Sequence, residues 1–322
     1  MKYFVTGATG FLGGVLVRKL REQGHEVHAS VRDPEKAQDL QTIGVKLFKG
    51  DVTDKESMRE AMRGVDGIYH VAGWYKIGVK EKRDAAQVNI QGTRNVLELM
   101  QELNIPKGVY TSTCAINSDT HGKVVDERYH FTGKHLSEYD RTKAAAHEIG
   151  KELIAKGLPL VIVMPGLIYG PGDTSSLRES IISHLQGQLP MMPAEAGNCP
   201  AHVEDVAQGH ILAMEKGRIG ESYIISGDRY LLADAFKLAS QVSGKRPPMV
   251  APAQMMKVMS VLARPFDSIL PPSYTSEGLR VIAGVTYMGD NSKARRELGY
   301  TPRPFREGWA ETVRHEMKLL GM

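Results

Sequence analysis

Cysteine is scarce in this sequence: Cys114 and Cys199 are the only two among 322 residues. Two thiols are too few for a disulfide framework or a cysteine-rich metal site, and they favour a reducing, cytoplasmic environment. No apolar run approaches the roughly 18 residues that a membrane-spanning helix needs, and no signal peptide fits the N-terminus. We therefore expect a cytoplasmic protein with no membrane partner.

A large excess of charge of one sign is also missing. Lys and Arg total 41 and Asp and Glu total 37, so the formal net charge is +4, with both signs interspersed. This small surplus does not indicate a nucleic-acid partner, although a few basic residues suffice to bind one small anionic ligand. The length fits one large domain or a unit of two lobes.

What the first half does contain is an alternation of short strands and helical patterns. The predicted strands are Tyr3–Thr6, Glu26–Val31, Val45–Phe48, Gly67–Val71, Gly108–Thr111 and Leu160–Met164. The predicted helices between them are Gly10–Glu22, Glu35–Gln41, Lys55–Arg63, Asp84–Leu103 and Glu138–Lys156. Such alternation predicts an α/β fold with a doubly wound parallel sheet, the Rossmann architecture, over residues 1–165.

The pattern changes after Pro165, where Gly, Pro and Met become frequent. Residues 166–322 are predicted to form a smaller C-terminal lobe, with segments around 203–226 returning to the sheet. The predicted elements of this half are a strand at Tyr223–Ile225 and helices at Glu204–Lys216, Leu232–Val242, Met255–Ala263 and Ser292–Leu298.

A glycine-rich loop joins the first strand to the first helix. Gly7 permits a tight turn, Gly10 lets the backbone approach a pyrophosphate, and Gly13 lets helix and strand pack closely. The helix N-terminus adds free N–H groups and a partial positive charge. We predict a dinucleotide site here, with a ligand-free glycine turn as the alternative. The residues of this site are Gly7, Thr9, Gly10, Phe11, Leu12 and Gly13.

The second strand leads to Arg32, with no acidic residue before it. An acid at this place usually binds a free ribose 2′-hydroxyl, whereas Arg binds a 2′-phosphate, so NADP is predicted over NAD. Lys36 is a second candidate for the phosphate, surface charges are the alternative, and Asp33 keeps NAD possible. Asp51 and Val52 follow the third strand and are expected near the adenine, unless they form a simple surface turn.

Tyr139 is the only one of twelve tyrosines with a lysine four positions later, Lys143. This spacing places both side chains on one face of a helix. A nearby ammonium favours the phenolate, so we expect a lowered pKa for Tyr139 and an acid–base role. A purely structural pair is the alternative. Ser137 and Asp140 are a capping pair that predicts the helix start just before Tyr139.

Several short motifs follow one another in a familiar order: TGATGFLG, GDVTD, HVAG, YDRTK and PGLIYGPGD. In this order the chain resembles the extended short-chain dehydrogenase/reductase superfamily, of the NAD-dependent epimerase/dehydratase type. VRDPEK at 31–36 and YTSTCA at 110–115 look most like its dihydroflavonol-reductase-like branch.

The resemblance implies a catalytic set of Thr113, Tyr139 and Lys143. A nicotinamide would supply hydride to a carbonyl, Tyr139 the proton and Thr113 a hydrogen bond, while Lys143 would also bind the nicotinamide ribose. Asn89 matches a family position, although a structural role explains it equally well. Besides Tyr139 and Lys143, the further cofactor contacts are Val71, Ala72, Gly73, Thr111 and Pro165.

The function implied is an NADP(H)-dependent oxidoreductase that interconverts a carbonyl and a secondary alcohol on a small or medium organic molecule bound by the C-terminal lobe. A nucleotide-sugar epimerase or dehydratase with tightly bound NAD is the alternative. A redox-sensing protein without catalysis is a third reading, which the Tyr–Lys pair disfavours. Related enzymes often form homodimers through two long helices, here Asp84–Leu103 and Glu138–Lys156.

Overall fold

A parallel seven-stranded sheet forms the centre of the protein, in a computed structural model that describes residues 1–79 and 82–322. Its strands run in the order β7-β6-β5-β4-β1-β2-β3, and every neighbouring pair is parallel. The predicted α/β fold is therefore confirmed. In chain order the strands are β1 Lys2–Thr6, β2 Glu26–Val31, β3 Lys46–Lys49, β4 Gly67–His70, β5 Gly108–Thr111, β6 Leu160–Pro165 and β7 Ser222–Ile225.

Helices cover both faces of the sheet, because successive strand residues point to opposite sides. In β1, Tyr3 and Val5 belong to a core shared with the helices Phe11–Glu22 and Val203–Lys216. Phe4 points the other way, into a core shared with the helices Gly92–Glu102 and Glu138–Ala155. We call the last of these the Tyr139 helix.

Three of the predicted helices are more broken than expected. The segment predicted at Glu35–Gln41 is a 3₁₀ turn, Pro34–Ala37, followed by the short helix Gln38–Thr42. A 3₁₀ turn, Glu56–Met58, also precedes the helix Arg59–Met62. The long helix expected at Asp84–Leu103 contains one π-helical stretch, Gln87–Gln91, between Arg83–Ala86 and Gly92–Glu102.

The chain after residue 165 contributes to the sheet and also forms smaller units. Strand β7 pairs with β6 at the sheet edge. A helix at Phe305–Leu319 was not predicted; Trp309 anchors it by donating from its indole N–H to the Ala235 carbonyl at 2.7 Å. The remaining helices are Ser176–Leu185, Leu232–Ser243, Ala253–Ala263, Ser276–Arg280 and Ser292–Leu298.

Short strand pairs complete the C-terminal part. Ile168–Tyr169 pairs with Ala201–His202, and Met191–Pro193 pairs with Met249–Ala251. Gly197–Asn198 lies between Tyr230–Leu231 and Thr286–Tyr287. Within the described ranges, no helix has both the length and the apolar character to cross a membrane.

Candidate active site

The glycine loop after β1 is folded so tightly that two of its glycines have no room for a side chain. Gly7 has φ +73°, and a Cβ there would lie 2.7 Å from the backbone nitrogen of Ala72. A Cβ on Gly13 would lie only 2.0 Å from the Gly7 carbonyl oxygen. The loop therefore brings the first turn of the helix directly against the end of β1.

No N-cap side chain covers the first-turn amides of the helix Phe11–Glu22. Gly10 is its N-cap and has no side chain to accept from the first-turn amides. Thr9 is exposed, Phe11 is half-buried and Leu12 is buried in the core beside β1. Free N–H groups at a helix start attract phosphate, so this cradle fits a pyrophosphate.

At the end of β2, Arg32 is exposed, while the neighbouring acid is already engaged. Asp33 caps the following turn by accepting from Glu35 N at 3.2 Å, and it pairs with Lys36 at 3.1 Å. The Ser30 hydroxyl is buried and has no hydrogen-bond partner within residues 1–79 and 82–322. This hydroxyl lies close to the carboxyl end of β2, where a bound adenosine moiety would give it a hydrogen-bond partner.

Asp51 stabilises its own turn. Its Oδ1 accepts from the backbone nitrogen and the hydroxyl of Thr53, each at 2.8 Å. The Val52 carbonyl accepts from the Asn95 side chain at 2.8 Å. Both residues are half-buried.

The segment after β4 is fixed to β1 by Thr6, a residue that the sequence analysis did not assign to the site. The Thr6 hydroxyl accepts from the backbone nitrogens of Val71 and Ala72 at 3.2 and 3.1 Å. A Cβ built on Gly73 would lie 3.8 Å from the Lys143 ammonium. The chain after β4 thus passes directly beside the catalytic lysine candidate.

Asn89 connects this segment to the Tyr139 helix. Its side-chain oxygen accepts from Trp74 N at 2.7 Å, and its amide donates to the Trp74 carbonyl and the Thr142 hydroxyl, both at 2.9 Å. These bonds satisfy the side chain at a fully buried position. The geometry gives Asn89 a structural role, whatever else it contributes.

Thr113, Tyr139 and Lys143 come together at the carboxyl end of β5. Thr113 follows that strand, and Ser137 caps the Tyr139 helix by accepting from Asp140 N at 3.1 Å. A hydrogen bond with the Thr113 hydroxyl acts to lower the pKa of Tyr139. The predicted cap is therefore present.

The expected lowering of the Tyr139 pKa by Lys143 is absent. Burial raises the pKa of Tyr139 to about 12 and outweighs the Thr113 hydrogen bond. Lys143 donates to the Thr111 carbonyl at 2.7 Å and to the Tyr110 hydroxyl at 3.3 Å. Burial lowers the pKa of its ammonium to about 7. The i,i+4 spacing puts both residues on one helix face, but the long lysine side chain turns to the end of β5.

Pro165 ends β6, where it pairs with Ile225 of β7. The next residue, Gly166, lies so close to another backbone that a Cβ would be 2.2 Å from the Cys199 carbonyl. Pro165 is therefore at the carboxyl edge of the sheet, on the same side as the glycine loop and Thr113. Thr111 lies at the same edge, and its hydroxyl pairs with His210 at 2.9 Å.

A buried carboxylate from the C-terminal part reaches the start of the Tyr139 helix. Glu277 accepts from Glu138 N at 2.9 Å and from Gly78 N at 3.1 Å, and it pairs with Lys82 at 2.7 Å. Its side chain is 8% exposed. No sequence pattern indicated this contact, since it joins residues 139 positions apart.

Two more contacts hold the same helix start. Arg280 donates to the Leu136 carbonyl at 2.9 Å, and the Tyr287 hydroxyl donates to Asp140 Oδ2 at 3.2 Å. Burial raises the pKa of Asp140 to about 7, against the lowering effect of its bonds from Ser137 and Tyr287. We call Glu277, Arg280 and Tyr287 the helix-start contacts.

A cavity of about 680 Å³ adjoins the helix-start contacts. It lies between the segment after β4 and the segment 260–280. Its lining includes Ser and Thr hydroxyl groups and more basic than acidic side chains, which suits a polar or anionic portion of a ligand. The charged lining residues are Lys82, Lys134, Arg264, Arg280, Asp267 and Glu277.

The sequence that forms this loop, sheet and helix matches a protein-family model. The model of the NAD dependent epimerase/dehydratase family covers residues 3–226. The chain belongs to this family. Membership confirms the resemblance to the extended short-chain dehydrogenase/reductase superfamily and makes the protein an NAD(P)-dependent oxidoreductase of that type.

Two curated relatives of this family member match it along nearly all of their length. It is 30% identical to sterol demethylase protein B of Methylococcus capsulatus, covering 97% of both chains. It is 31% identical to a putative dihydroflavonol 4-reductase of Synechocystis sp., covering 97% of this chain and 93% of the relative. The solved structure of gox2253 superposes with a TM-score of 0.85 at 31% identity, covering 99% and 98%.

Proposed function

We propose that the protein is an NADP(H)-dependent reductase that interconverts a carbonyl and a secondary alcohol on a small or medium organic substrate. The observation that carries this proposal is the position of Tyr139 in the first turn of its helix beside the carboxyl end of β5, where Thr113 acts to lower its pKa and Lys143 donates to the Thr111 carbonyl. Similarity to a protein named as a putative dihydroflavonol 4-reductase supports the same reaction class.

The raised pKa of Tyr139 suits the role of proton donor in the reducing direction. With a pKa of about 12, the Tyr139 phenol keeps its proton at neutral pH and can donate it to the oxygen of a carbonyl undergoing reduction. The Thr113 hydroxyl can hydrogen-bond to the same oxygen and fix its position. When bound, the reduced nicotinamide supplies the hydride.

The residues around the crevice fit a dinucleotide cofactor. The first-turn amides after Gly10 offer donors for its phosphates, and the partnerless Ser30 hydroxyl lies near the adenosine end. Arg32 is exposed and available for a 2′-phosphate, whereas Asp33 already holds its cap and Lys36. This distribution of charge supports NADP over NAD.

Activity is tested by NADPH oxidation with a panel of ketones, comparing Tyr139→Phe with the wild type. We expect a loss of about a hundredfold or more in kcat, since a positioned acid contributes about that much. Tyr300→Phe is the matched control, because its buried hydroxyl has no partner in the described part of the chain. A Tyr139→Phe variant with wild-type turnover refutes the proposed role of the phenol.

The cofactor preference is tested by binding NADPH and NADH separately. Arg32→Ala should weaken NADPH binding about tenfold, from one lost charged hydrogen bond, and leave NADH binding unchanged. Arg63→Ala, another exposed arginine of the same half, should change neither. Tighter binding of NADH, or an NADPH preference independent of Arg32, contradicts the proposal.

The epimerase or dehydratase alternative draws support from Arg264 and Arg280 in the cavity, because a sugar diphosphate needs cationic partners. Such an enzyme keeps NAD through its turnover. Protein purified, denatured and analysed for nucleotide should contain no stoichiometric NAD if the reductase proposal is right. Stoichiometric NAD would favour the alternative.

We also propose a cytoplasmic homodimer through the outer faces of the helices Gly92–Glu102 and Glu138–Ala155. These helices pack side by side, which would let two subunits form a four-helix contact. Sedimentation velocity of the wild type and of Ala144→Arg, a half-buried position on the Tyr139 helix, checks this. A monomeric wild type contradicts it.

A further inference from the structure

The helix Ala253–Ala263, which we call the Met-rich helix, has its larger apolar side chains on the outside. Its buried side is made mainly of small residues, Ala253, Ser260 and Ala263, together with Met256. Val261 and Leu262 on the other side are 70% and 65% exposed. A helix of a monomeric domain normally buries its larger apolar residues, so this arrangement needs an explanation.

The exposed apolar surface continues beyond the helix. Phe266 is 53% and Ile269 is 78% exposed in the segment that follows. We call Val258, Val261, Leu262, Phe266 and Ile269 the apolar ridge. The segment beneath it is anchored by a small core of its own, which includes Ala251, Met256 and Leu279.

The chain segment that carries the ridge is mostly basic. Residues 245–274 contain the basic residues Lys245, Arg246, Lys257 and Arg264 and a single acid, Asp267, which gives 4 − 1 = +3. The Asp267 carboxylate is engaged, since it accepts from the backbone nitrogen and the hydroxyl of Ser276. A surface that is both apolar and basic repels a second copy of itself and attracts an anionic apolar partner.

We propose that the apolar ridge docks this protein on a lipid surface that carries anionic headgroups. Interfacial helices bind in this way, with apolar side chains at the headgroup boundary and Lys or Arg among the headgroups. The mode needs no spanning segment, so the lack of one, on which the expectation of no membrane partner rested, does not oppose it. Val261 and Arg264 also line the 680 Å³ cavity, so a docked molecule would hold that cavity close to the lipid.

The first test is co-sedimentation of the full chain with vesicles of phosphatidylcholine and phosphatidylglycerol, and with phosphatidylcholine alone. We expect binding to the mixed vesicles that weakens as salt is raised. Lys257→Glu should weaken binding about tenfold or more, since each basic residue near an anionic surface contributes about fivefold. Leu262→Ser combined with Ile269→Ser should abolish it.

The matched control is Lys318→Glu combined with Leu319→Ser, at the exposed end of the C-terminal helix. It makes the same kinds of change away from the ridge and should bind vesicles like the wild type. Equal loss in this control overturns the proposal, and so does the absence of binding to mixed vesicles. A ridge-dependent dimer in sedimentation velocity without vesicle binding also overturns it, in favour of a second copy.

A second measurement adds a fluorescent side chain to the ridge and does not rely on a variant that weakens vesicle binding. Trp74 and Trp309, the two tryptophans of the sequence, are 9% and 1% exposed. Phe266→Trp would therefore place a single accessible indole on the ridge. Its fluorescence should be quenched by brominated phosphatidylcholine mixed with phosphatidylglycerol. Unquenched fluorescence in the presence of sedimenting, vesicle-bound protein means that another surface binds, and overturns the proposal.

Discussion

Replacing Glu277 with Gln removes one negative charge at the start of the Tyr139 helix while keeping the size of the side chain. The carboxylate now accepts from two backbone amides, Glu138 N and Gly78 N, and pairs with Lys82. An amide offers one accepting oxygen and two N–H groups. In Glu277→Gln one of the two backbone donors must therefore face another donor.

The energetic cost follows from these contacts. A hydrogen bond to a charged acceptor stabilises by about 1.5–3 kcal/mol, and a buried N–H left without a partner costs a similar amount. The ion pair with Lys82 adds little, because that lysine is 40% exposed. We expect the free energy of unfolding to fall by roughly 2–4 kcal/mol.

Activity should fall as well, because Tyr139 directly follows Glu138. A displacement of about 1 Å at a reacting group can reduce turnover about a hundredfold. We therefore expect a decrease in kcat of between about tenfold and a hundredfold, with little change in the NADPH dissociation constant. The cofactor cradle after β1 lies in another part of the site and does not contact Glu277 within the described residues.

The assay combines urea unfolding, NADPH titration and steady-state reduction. Glu148→Gln is the matched control, since Glu148 lies on the same helix in an exposed pair with Lys151 and should contribute less than about 0.5 kcal/mol. Glu277→Asp keeps the charge and should recover part of the loss. A Glu277→Gln protein with wild-type stability and kcat would show that the helix start does not depend on this carboxylate.

Two further predictions concern the loop and the lysine. Gly13→Ala should lower stability by about 1–3 kcal/mol and abolish NADPH binding, because its Cβ would lie 2.0 Å from the Gly7 carbonyl oxygen. Gly14→Ala is the control, because its Cβ would meet the flexible Arg18 side chain at 3.1 Å and the Ala8 carbonyl oxygen at an ordinary contact distance of 3.5 Å; calorimetry and titration distinguish the two variants. Lys143 has a pKa of about 7 when folded against 10.5 for the free side chain, so the unfolded state binds more protons above pH 7. The contribution of this group to stability should then rise with pH between about 7 and 10.5, by at most ~1.4 kcal/mol per unit, and Lys143→Met should flatten the rise in urea unfolding.

The central sheet could be predicted because the sequence marks its strands clearly. The glycine after β1 and the alternation of strands and helices are local signals that do not depend on distant contacts. The helix Phe305–Leu319 was missed although Phe305, Trp309 and Val313 recur every four residues and are all buried. That spacing is a helical signal, and it was available in the sequence.

The broken helix at 83–102 could not be predicted in this way. Its π-helical stretch contains Asn89, whose side chain bonds to Trp74 and Thr142 on two other segments. Periodicity describes one helix at a time and carries no information about such partners. The same limit applies to the pKa of Tyr139: spacing places Lys143 on the correct face, but burial decides the direction of the shift.

The helix-start contacts join the parts of the chain on the two sides of the predicted boundary at residue 165. Strand β7 completes the sheet beside β6, and Glu277, Arg280 and Tyr287 hold the first turn of the Tyr139 helix. A chain ending at residue 165 would expose the edge of β6 and leave the Glu138 amide without its acceptor. The two halves are therefore distinct in sequence pattern but not independent in structure, because residues of the C-terminal half contact the start of the Tyr139 helix. Glu277 and Arg280 also line the cavity, so a ligand bound there would lie against the same side chains that hold the start of the Tyr139 helix.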